Sequence, residues 1–470
     1  MKTERNYMRL SKTGFIIVAM LSLQSCFVAK NYVRPDNVLE AEKFRTDQLP
    51  QDSLSIANLS WKQIFTDPIL QNYIDTALTN NMDIRIALQQ ITMAEAYVKQ
   101  GKAGYLPSIN ANANAAYQKT SANGQGLGNS VSVNQFELSG GFSWEIDIWG
   151  KIRSIRRAAD ASYLQSMAAH QAVKSRLIAN IAATYYQLIT LDEQIRVTEE
   201  TIETRRKSLE TTIALKEAGS VNEVGVQQTE AQLLAAQAIL VDLLAQRRRT
   251  ENAFSILLGS SPKQIQRNIL ADQNIDIPLI LGVPSELLKN RPDVMAAEYG
   301  LMNAFELTNV AKSSFYPSLT LSAAGGFQSF ELEKLLNVNS LFASVVGGLV
   351  QPIINNRRIR TQYEVSQAQQ EQALLQFKYT LLIASKEVSD AMYSIEAATE
   401  KVEIKESENE AYNLAMDYSM ELLNNGLVNY LEVLIAVERS LSSNLDMIDA
   451  KNARLQSIVD LYEALGGGWR

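Results

Sequence analysis

The sequence has little of the side-chain chemistry on which enzymes and metal sites depend. Its 470 residues include one cysteine, Cys26, and one histidine, His170. A disulfide within the chain is therefore impossible, and we find neither a nucleophile motif nor a phosphate-binding glycine loop. We interpret His170 as a surface residue of a long helix, and Met416 and Met420 as helix packing rather than ligands of a soft metal. The sequence thus predicts no enzyme, no cofactor and no resident metal.

Long apolar runs and an excess of positive charge are also absent. With 44 basic against 51 acidic residues the net charge is -7, which argues against a nucleic-acid partner. Beyond Cys26 no stretch of 18 apolar residues occurs, so no transmembrane helix is predicted. A chain of this kind that crosses a membrane must do so with β-strands.

The N-terminus has the pattern of an export signal. Basic residues precede a short apolar run, Phe15 to Leu23, which is followed by Gln24, Ser25 and Cys26. The pattern predicts a signal peptide over residues 1–25, whose removal leaves an acylated Cys26. Gln24 is unusual for such a site, and the alternative is an unmodified thiol in an ordinary signal sequence.

The two halves of the chain repeat each other. The segment Tyr105 to Ile109 (YLPSI) is echoed 210 residues later by Phe315 to Leu319 (FYPSL). Gly259, after Leu258, is echoed 207 residues later by Gly466. This nearly constant spacing predicts equal helix lengths in both halves. Each half is predicted to contain a helix, a hairpin, a very long helix, a turn and a second long helix.

The very long helices are predicted at residues 151–215 and 358–424, which contain no proline or glycine and many strong helix formers. At 1.5 Å per residue, some 65 residues give a rod of about 100 Å. Glycine turns at Gly219 and Gly426 are expected to end both rods. A seven-residue repeat in the last helix predicts a coiled-coil seam, which suits a tunnel wall or a soluble scaffold: Leu434, Leu441, Ile448, Leu455 and Tyr462, with Leu431 and Leu445 beside them.

Four segments alternate with a period of two, as strands do: residues 109–117, 136–148, 319–327 and 341–350. One apolar and one polar face suit either a sandwich half in water or a lipid-facing barrel with a polar lumen. Four strands cannot close a barrel, so a membrane location requires several chains in one barrel. Aromatic residues near the strand ends fit membrane-interface anchors: Tyr105, Trp149, Phe315 and Tyr316.

Short motifs along the chain resemble those of the outer-membrane factor family, the TolC-like channels, and of its lipidated branch. In order, they are Tyr32-Val33-Arg34-Pro35, the spacing of Trp61, Phe65, Asp67 and Leu70, Trp144 to Lys151 (WEIDIWGK), Gly282 to Leu288 (GVPSELL) with Arg291-Pro292-Asp293, and Leu465 to Trp469 (LGGGW). The resemblance covers essentially the whole mature chain, and the order of the motifs makes it specific.

The resemblance implies an α+β membrane protein with an internal two-fold repeat. Three chains would each give four strands to a 12-stranded β-barrel that continues into a long α-helical coiled-coil barrel. After the signal peptide, the implied segments are a lipid-anchored segment and belt at residues 26–66, a first repeat at 67–259, a connector or equatorial belt at 260–290 and a second repeat at 291–470.

The function that the resemblance implies is an outer-membrane channel of a tripartite efflux pump, a passive exit duct for small molecules opened by a periplasmic adaptor. The implied partners are two further copies, a periplasmic membrane-fusion adaptor protein, an inner-membrane pump and outer-membrane lipid. The protein is expected in the outer membrane, lipid-anchored, with its helical part in the periplasm. The alternative is a lipid-anchored periplasmic coiled-coil scaffold without channel activity.

Matched positions imply where the partner and the gate act. The glycine turns match the adaptor contacts: Gly219, Ser220, Val221, Gly426, Leu427 and Val428. Leu431 and Glu432 match an apolar and an acidic ring of the periplasmic gate. Ile435 stands where the family commonly has aspartate, so one acidic ring is predicted to be missing. The alternatives are plain helix caps and, for Glu432 as for Arg247 to Arg249, a solvated helix face.

Overall fold

The computed structural model describes residues 28–35, 60–121, 131–273, 290–428 and 430–469. The described chain divides into two compact units, each of which takes residues from both halves of the sequence. Of the described residues, unit 1 contains 28–35, 91–121, 131–166 and 297–377, and unit 2 contains the rest. The predicted signal peptide, Cys26 and the motif at 282–288 lie outside the described residues.

Helix lengths are equal in the two halves, as the repeat predicts. Two short helices come first, α1 (Trp61–Ile64) and α2 (Pro68–Asn80). The matched pairs are α3 (Met82–Ala103) and α6 (Pro292–Ser313) with 22 residues each, α4 (Lys151–Glu217) and α7 (Arg358–Asn424) with 67 each, and α5 (Glu223–Leu257) and α8 (Tyr430–Ala464) with 35 each. The first rod is therefore two residues longer than predicted.

All four predicted strands form, and they make one antiparallel sheet in unit 1. The strands are β1 (Ser108–Lys119), β2 (Ser132–Ile146), β3 (Ser318–Ser329) and β4 (Leu341–Val350), in the order β1-β2-β3-β4. The register places Phe142 between Ile109 and Ala323, and Ala323 next to Val345. β2 begins four residues earlier than predicted and ends at Ile146, before Ile148.

The long helices end in glycines with left-handed backbone, as expected for Gly219 (φ 76°) and Gly426 (φ 70°). At the first turn the N–H of Ser220 donates to the carbonyl of Leu215 over 2.9 Å, and at the second the N–H of Leu427 donates to Leu422 over 2.9 Å. Each repeat thus closes its long helix with the same capping motif.

The core of unit 2 is rich in aromatic rings. Tyr185, Tyr186 and Phe254 are fully buried, and the ring of Phe65 meets that of Tyr462 edge to face at 5.7 Å. The predicted heptad of α8 is buried along its whole length, from Leu434 to Tyr462, which confirms the seam. Leu431, which the sequence placed beside that seam, is instead exposed, whereas Tyr430, Val433 and Leu434 around it are buried.

Candidate functional site: open sheet edges and helix turns

The sheet of unit 1 leaves both of its edges open within the described chain. β1 and β4 are the outer strands, and neither pairs with another described segment. Side chains on both faces are well exposed, Ile109 on one face and Val346 on the other. An unpaired edge carries free backbone N–H and C=O groups, which makes it a ready site for another strand.

One face of the sheet is apolar across all four strands, as the alternation predicts. Its larger members are Ile109, Tyr117, Phe136, Leu138, Phe142, Trp144, Ile146, Leu319, Leu321, Phe327, Leu341, Val345 and Leu349. The opposite face carries Asn110, Asn112, Glu137 and Thr320. β4 departs from this pattern, because Phe342 and Val346 place apolar side chains on the polar face.

The four predicted interface aromatics gather at one end of the sheet. Trp149 stacks on Tyr316 with ring centres 4.9 Å apart, and its Nε1 donates to the carbonyl of Pro317 over 2.6 Å. The Nε1 of Trp144 donates to the carbonyl of Tyr105 over 3.0 Å. Phe315, the fourth, is exposed at the same end. Rings that combine apolar area with satisfied polar atoms suit a boundary between lipid and water.

At the first glycine turn, an ion pair joins the end of α4 to the start of α5. Lys216 at the end of α4 forms an ion pair with Glu223 at the start of α5. The side chain of Asn222 caps α5 by accepting the N–H of Gly225 over 3.2 Å. Gly219 at the tip faces open space, because no atom lies within 4 Å of the position that a Cβ would take.

The second glycine turn, between α7 and α8, has the same backbone conformation but fewer side-chain interactions across it. Gly426 also has nothing within 4 Å of a Cβ position, and Leu427 beside it is exposed. No ion pair crosses this turn among the residues described around it. Both turns therefore offer accessible backbone, as the adaptor-contact prediction requires, although that contact itself stays a prediction.

Next to the two turns, hydrogen bonds join the first helical hairpin (α4 and α5) to the second (α7 and α8). The hydroxyl groups of Thr229 on α5 and Tyr430 on α8 form a buried hydrogen bond. The side-chain amide of Gln232 donates to the carbonyl of Leu434 over 3.2 Å. Neither Thr229 nor Tyr430 was predicted from the sequence, in which a tyrosine in the first turn of a helix is the only trace of this contact. This contact links the two repeats at the end where the turns lie.

The predicted gate residues share one exposed side of α8. Leu431, Glu432 and Ile435 are exposed, whereas Val433 and Leu434 between them are buried. The structure thus brings the predicted apolar residue, the acidic residue and the isoleucine that replaces a common aspartate onto one surface. In a single chain this surface faces solvent.

Two other candidate residues, His170 and Arg247, are less exposed to solvent than predicted. His170 is partly buried, and burial followed by the nearby charge of Lys174 lowers its pKa. Arg247 is partly exposed and pairs with Asp192 at 3.4 Å, whereas Arg248 and Arg249 are fully on the exposed side of the helix. Within the described ranges no three His, Cys, Asp or Glu residues are placed to hold a metal ion. No described helix is long and apolar enough to cross a membrane.

Comparison with known families gives two matches within this chain. A family model described as outer membrane efflux protein matches residues 73–260 and residues 283–467. The two matched segments end 207 residues apart, which is the offset that separates Gly259 from Gly466. The match thus follows the internal repeat.

Individual relatives cover nearly the whole chain. The cation efflux system protein CusC of Escherichia coli (strain K12) is 26% identical over 451 residues, covering 95% of this chain and 97% of its own. The toluene efflux pump outer membrane protein TtgI of Pseudomonas putida is 28% identical over 458 residues, covering 96% and 97%. The solved outer-membrane channel OprN superposes with a TM-score of 0.86 at 26% identity, covering 94% of this chain and 99% of that one.

Proposed function

The chain belongs to the outer membrane efflux protein family, and from this premise we propose that three copies of it close one exit channel of a tripartite pump. Its function is transport as an outer-membrane efflux protein. The finer points concern how the channel closes, where an adaptor docks and where the gate lies.

The open sheet carries the trimer proposal. A four-stranded sheet with two free edges cannot stay in lipid, because unpaired backbone groups there cost several kcal/mol each. β1 and β4 run in opposite directions, so β4 of one copy and β1 of the next can pair in the same antiparallel manner as the strands within a chain. Three copies give twelve strands, an even number that closes without a parallel joint.

The face pattern of the sheet supports a membrane position for this barrel. The continuous apolar face would contact lipid, and the side with Asn110, Asn112 and Glu137 would line the lumen. The aromatic cluster of Trp149 and Tyr316 would lie at one membrane boundary. A lipid on Cys26 would add an anchor to the barrel.

The helical part would extend into the periplasm and meet the adaptor at the glycine turns. Gly219 and Gly426 are supported as contact points by their exposed backbone, on which another helical hairpin can pack closely. Ser220, Val221, Leu427 and Val428 complete the two tips. An inner-membrane pump would deliver the cargo and supply the energy.

The gate is proposed at the first turn of α8. In a trimer, Leu431 would form an apolar constriction and Glu432 a ring of three carboxylates that attracts cations. Ile435, one turn further, contributes an apolar ring where an acidic one is common. The hydrogen bond between Thr229 and Tyr430 would hold this end closed.

The cargo is not assigned by the fold. CusC and TtgI are named for cations and for toluene, yet each aligns with this chain over more than nine-tenths of its length. The common architecture therefore serves unlike substrates, and we propose only that small molecules pass.

Channel activity is tested with the purified full-length protein in detergent. We expect a trimer that dissociates on heating and produces ion conductance in planar lipid bilayers. A lipid-anchored scaffold would give no conductance. Protein that stays monomeric, and that dissolves without detergent once its acyl group is removed, would overturn the proposal.

A further inference from the structure

The end of the sheet at which all four strands join helices carries a group of basic residues. Helix α4 begins with Lys151 and has Arg153 as its third residue, and α7 begins with Arg358 and has Arg360 as its third. The two pairs stand 207 residues apart, which is the offset of the internal repeat. Arg357 directly precedes α7. These five residues are called the basic band: Lys151, Arg153, Arg357, Arg358 and Arg360.

The basic band does not stabilise the helices on which it lies. The N-terminal end of a helix carries partial positive charge, so basic residues in the first turn are unfavourable, and neither α4 nor α7 has an acidic residue there. Arg357 has left-handed backbone (φ 64°) at the position that Gly150 (φ 78°) occupies in the first repeat. Any residue with a side chain is strained in this conformation. Residues that oppose local stability point to a role in binding.

Three of the five basic residues are available to an anion. Arg153, Arg358 and Arg360 are exposed, and none of them forms an ion pair with a described residue. The planar guanidinium group of arginine binds phosphate oxygens through two parallel hydrogen bonds. Each chain therefore presents three arginines that can bind phosphate groups.

Three acidic residues at this end of the sheet already have partners. Glu145 pairs with Lys151 at 2.9 Å, and Glu364 pairs with Arg357 at 3.0 Å. Asp147 accepts two backbone N–H groups at the start of α4, over 3.0 and 2.9 Å. Five basic residues thus face three acidic ones, and the surface keeps a net positive charge.

Exposed apolar side chains lie directly beside the basic band. Ile353 and Ile354, between β4 and α7, are 89% and 91% exposed in the single chain. The starts of α4 and α7 also share a cavity of about 190 Å³, whose lining includes Trp149, Lys151, Tyr316, Pro352 and Ile359. Basic residues next to exposed aliphatic and aromatic ones are typical of a surface that lies at the boundary of a membrane.

The N-terminal segment brings the predicted lipid anchor to the same end of the sheet. A Cβ atom on Gly150 would lie 2.8 Å from the Cβ of Ala29, so this segment contacts the residue just before α4. Cys26 stands three residues before Ala29. At 3.8 Å per residue, its predicted acyl group is attached within about 11 Å of that contact. An acyl chain at this distance places the membrane surface beside the basic band.

The charge of the basic band is complementary to an anionic lipid surface. We propose that the basic band binds the phosphate groups of anionic phospholipids, while Ile353 and Ile354 enter the acyl region beside them. In the proposed channel the helices extend into the periplasm, so these lipids belong to the leaflet that faces the periplasm. This inference rests on the membrane barrel proposed above and specifies the lipid at its periplasmic boundary.

Lipid binding by the purified, delipidated trimer in detergent tests the basic band. Phosphatidylglycerol, which is anionic, is compared with phosphatidylcholine, which has no net charge, by titration and native mass spectrometry. A basic residue near an anionic lipid surface contributes about fivefold in affinity, so three free arginines give wild type a preference of roughly 100-fold for phosphatidylglycerol. The variant with Arg358→Gln and Arg360→Gln is expected to retain a preference of only about fivefold.

Two further variants separate charge at this site from charge in general and from misfolding. Arg248→Gln with Arg249→Gln removes two exposed arginines from α5, outside the basic band, and is expected to keep the full preference. Arg358→Lys with Arg360→Lys retains both charges and is expected to keep most of it. Inorganic phosphate at the concentration of the lipid is expected not to displace phosphatidylglycerol, because it lacks acyl chains.

The possible results distinguish this inference from the function on which it rests. Equal affinity of wild type for the two lipids, or an unchanged preference in the glutamine variant, would refute the basic band as a lipid site. Displacement of the lipid by inorganic phosphate would also refute it and would identify a site for free anions. The channel stands in each of these cases if wild type is a conducting trimer. A wild type that neither trimerises nor conducts would instead refute the proposed function.

Discussion

The hydroxyl of Tyr185 on α4 donates a hydrogen bond of 2.7 Å to Asp67, the residue that caps α2. The same carboxylate accepts the N–H of Ile69 over 2.8 Å and the side-chain amides of Asn268 over 3.0 Å and Gln273 over 2.9 Å. Asp67 therefore joins the N-terminal helices, the long helix and the connector segment in unit 2. Its side chain is nearly buried, so each of these donors depends on it.

We predict that Asp67→Asn destabilises unit 2 by about 1–3 kcal/mol, because the new amide presents N–H groups to donors that then lack an acceptor. Asp75→Asn, on the same helix, is the control. Asp75 pairs with Lys62 at 3.2 Å on the surface, and such pairs contribute about 0–1 kcal/mol. Thermal unfolding followed by circular dichroism measures both. Equal midpoints for the two variants would contradict this account of Asp67.

The same carboxylate predicts a pH dependence. Burial acts to raise the pKa of Asp67, but the hydrogen bonds from Tyr185, Gln273, Ile69 and Asn268 outweigh it and hold the pKa below the ordinary 3.8. The stabilisation is therefore complete above the unfolded pKa and is lost as pH falls through the folded one. The gap between wild type and Asp67→Asn should stay constant from about pH 7 to pH 5 and narrow below pH 4.

A neighbouring pair on β4 separates a membrane barrel from a soluble sheet. Val345 and Val346 are 74% and 59% exposed in the single chain, but they lie on the apolar and the polar face. We predict that Val345→Lys blocks trimer insertion, because lysine on the lipid face near the midplane costs about 2–4 kcal/mol. Val346→Lys should be tolerated in a wet lumen. Trimer yield in outer-membrane fractions is the readout, and equal yields would favour a sheet in water.

The elements were predictable because their local signals are strong. Proline and glycine are absent through the whole of α4 and α7, and glycine stands just after each C-terminus. Alternation over nine or more residues fixed which strand positions share a face, and the register then aligned those faces across the sheet. The boundaries moved by a few residues, as at β2, because strand ends are set by the partner strand as well as by the sequence.

Contacts between distant segments could not be predicted in this way. Asp67 appears in a recognisable motif, but its partners Asn268 and Gln273 lie in a connector without periodicity. Leu431 follows a spacing that fits the α8 seam, yet its side chain is exposed while those of Val433 and Leu434 beside it are buried. A heptad repeat predicts which positions of a helix lie on the same side. Which residues at the edge of that side become buried depends on the neighbouring helix.

Two glycines that end helices with the same backbone geometry, Gly219 and Gly259, allow adaptor docking to be tested separately from folding. Gly219 and Gly259 both have left-handed backbone, so alanine costs about 1–2 kcal/mol of strain at either. At Gly259 the new methyl would also collide with the carbonyl oxygen of Asn80, whereas at Gly219 it meets nothing. We predict that Gly219→Ala folds and assembles but binds the adaptor's helical hairpin more weakly, measured by pull-down. Gly259→Ala should lower thermal stability more than Gly219→Ala.

We predict that the trimer assembles without the lipid anchor on Cys26. Cys26→Ala should abolish labelling by radioactive fatty acid, because no other cysteine is available. The trimer should persist, since the proposed barrel closure uses the free edges of β1 and β4. Ser25→Ala, which keeps a small residue before the cysteine, is the matched control and should still be labelled. Loss of the trimer in Cys26→Ala would show that the anchor is needed for assembly.

Tyr430→Phe tests whether the contact between hairpins holds the proposed gate closed. The change removes one hydroxyl and leaves Thr229 bonded to the carbonyl of Gly225 over 2.8 Å, so the cost is limited to about 1 kcal/mol. If opening breaks this bond, the closed state loses that energy and the open fraction rises up to about fivefold. Single-channel recording is expected to show more frequent open events. Tyr97→Phe, an exposed tyrosine on α3, should behave as wild type, and an unchanged open fraction in Tyr430→Phe would place the gate elsewhere.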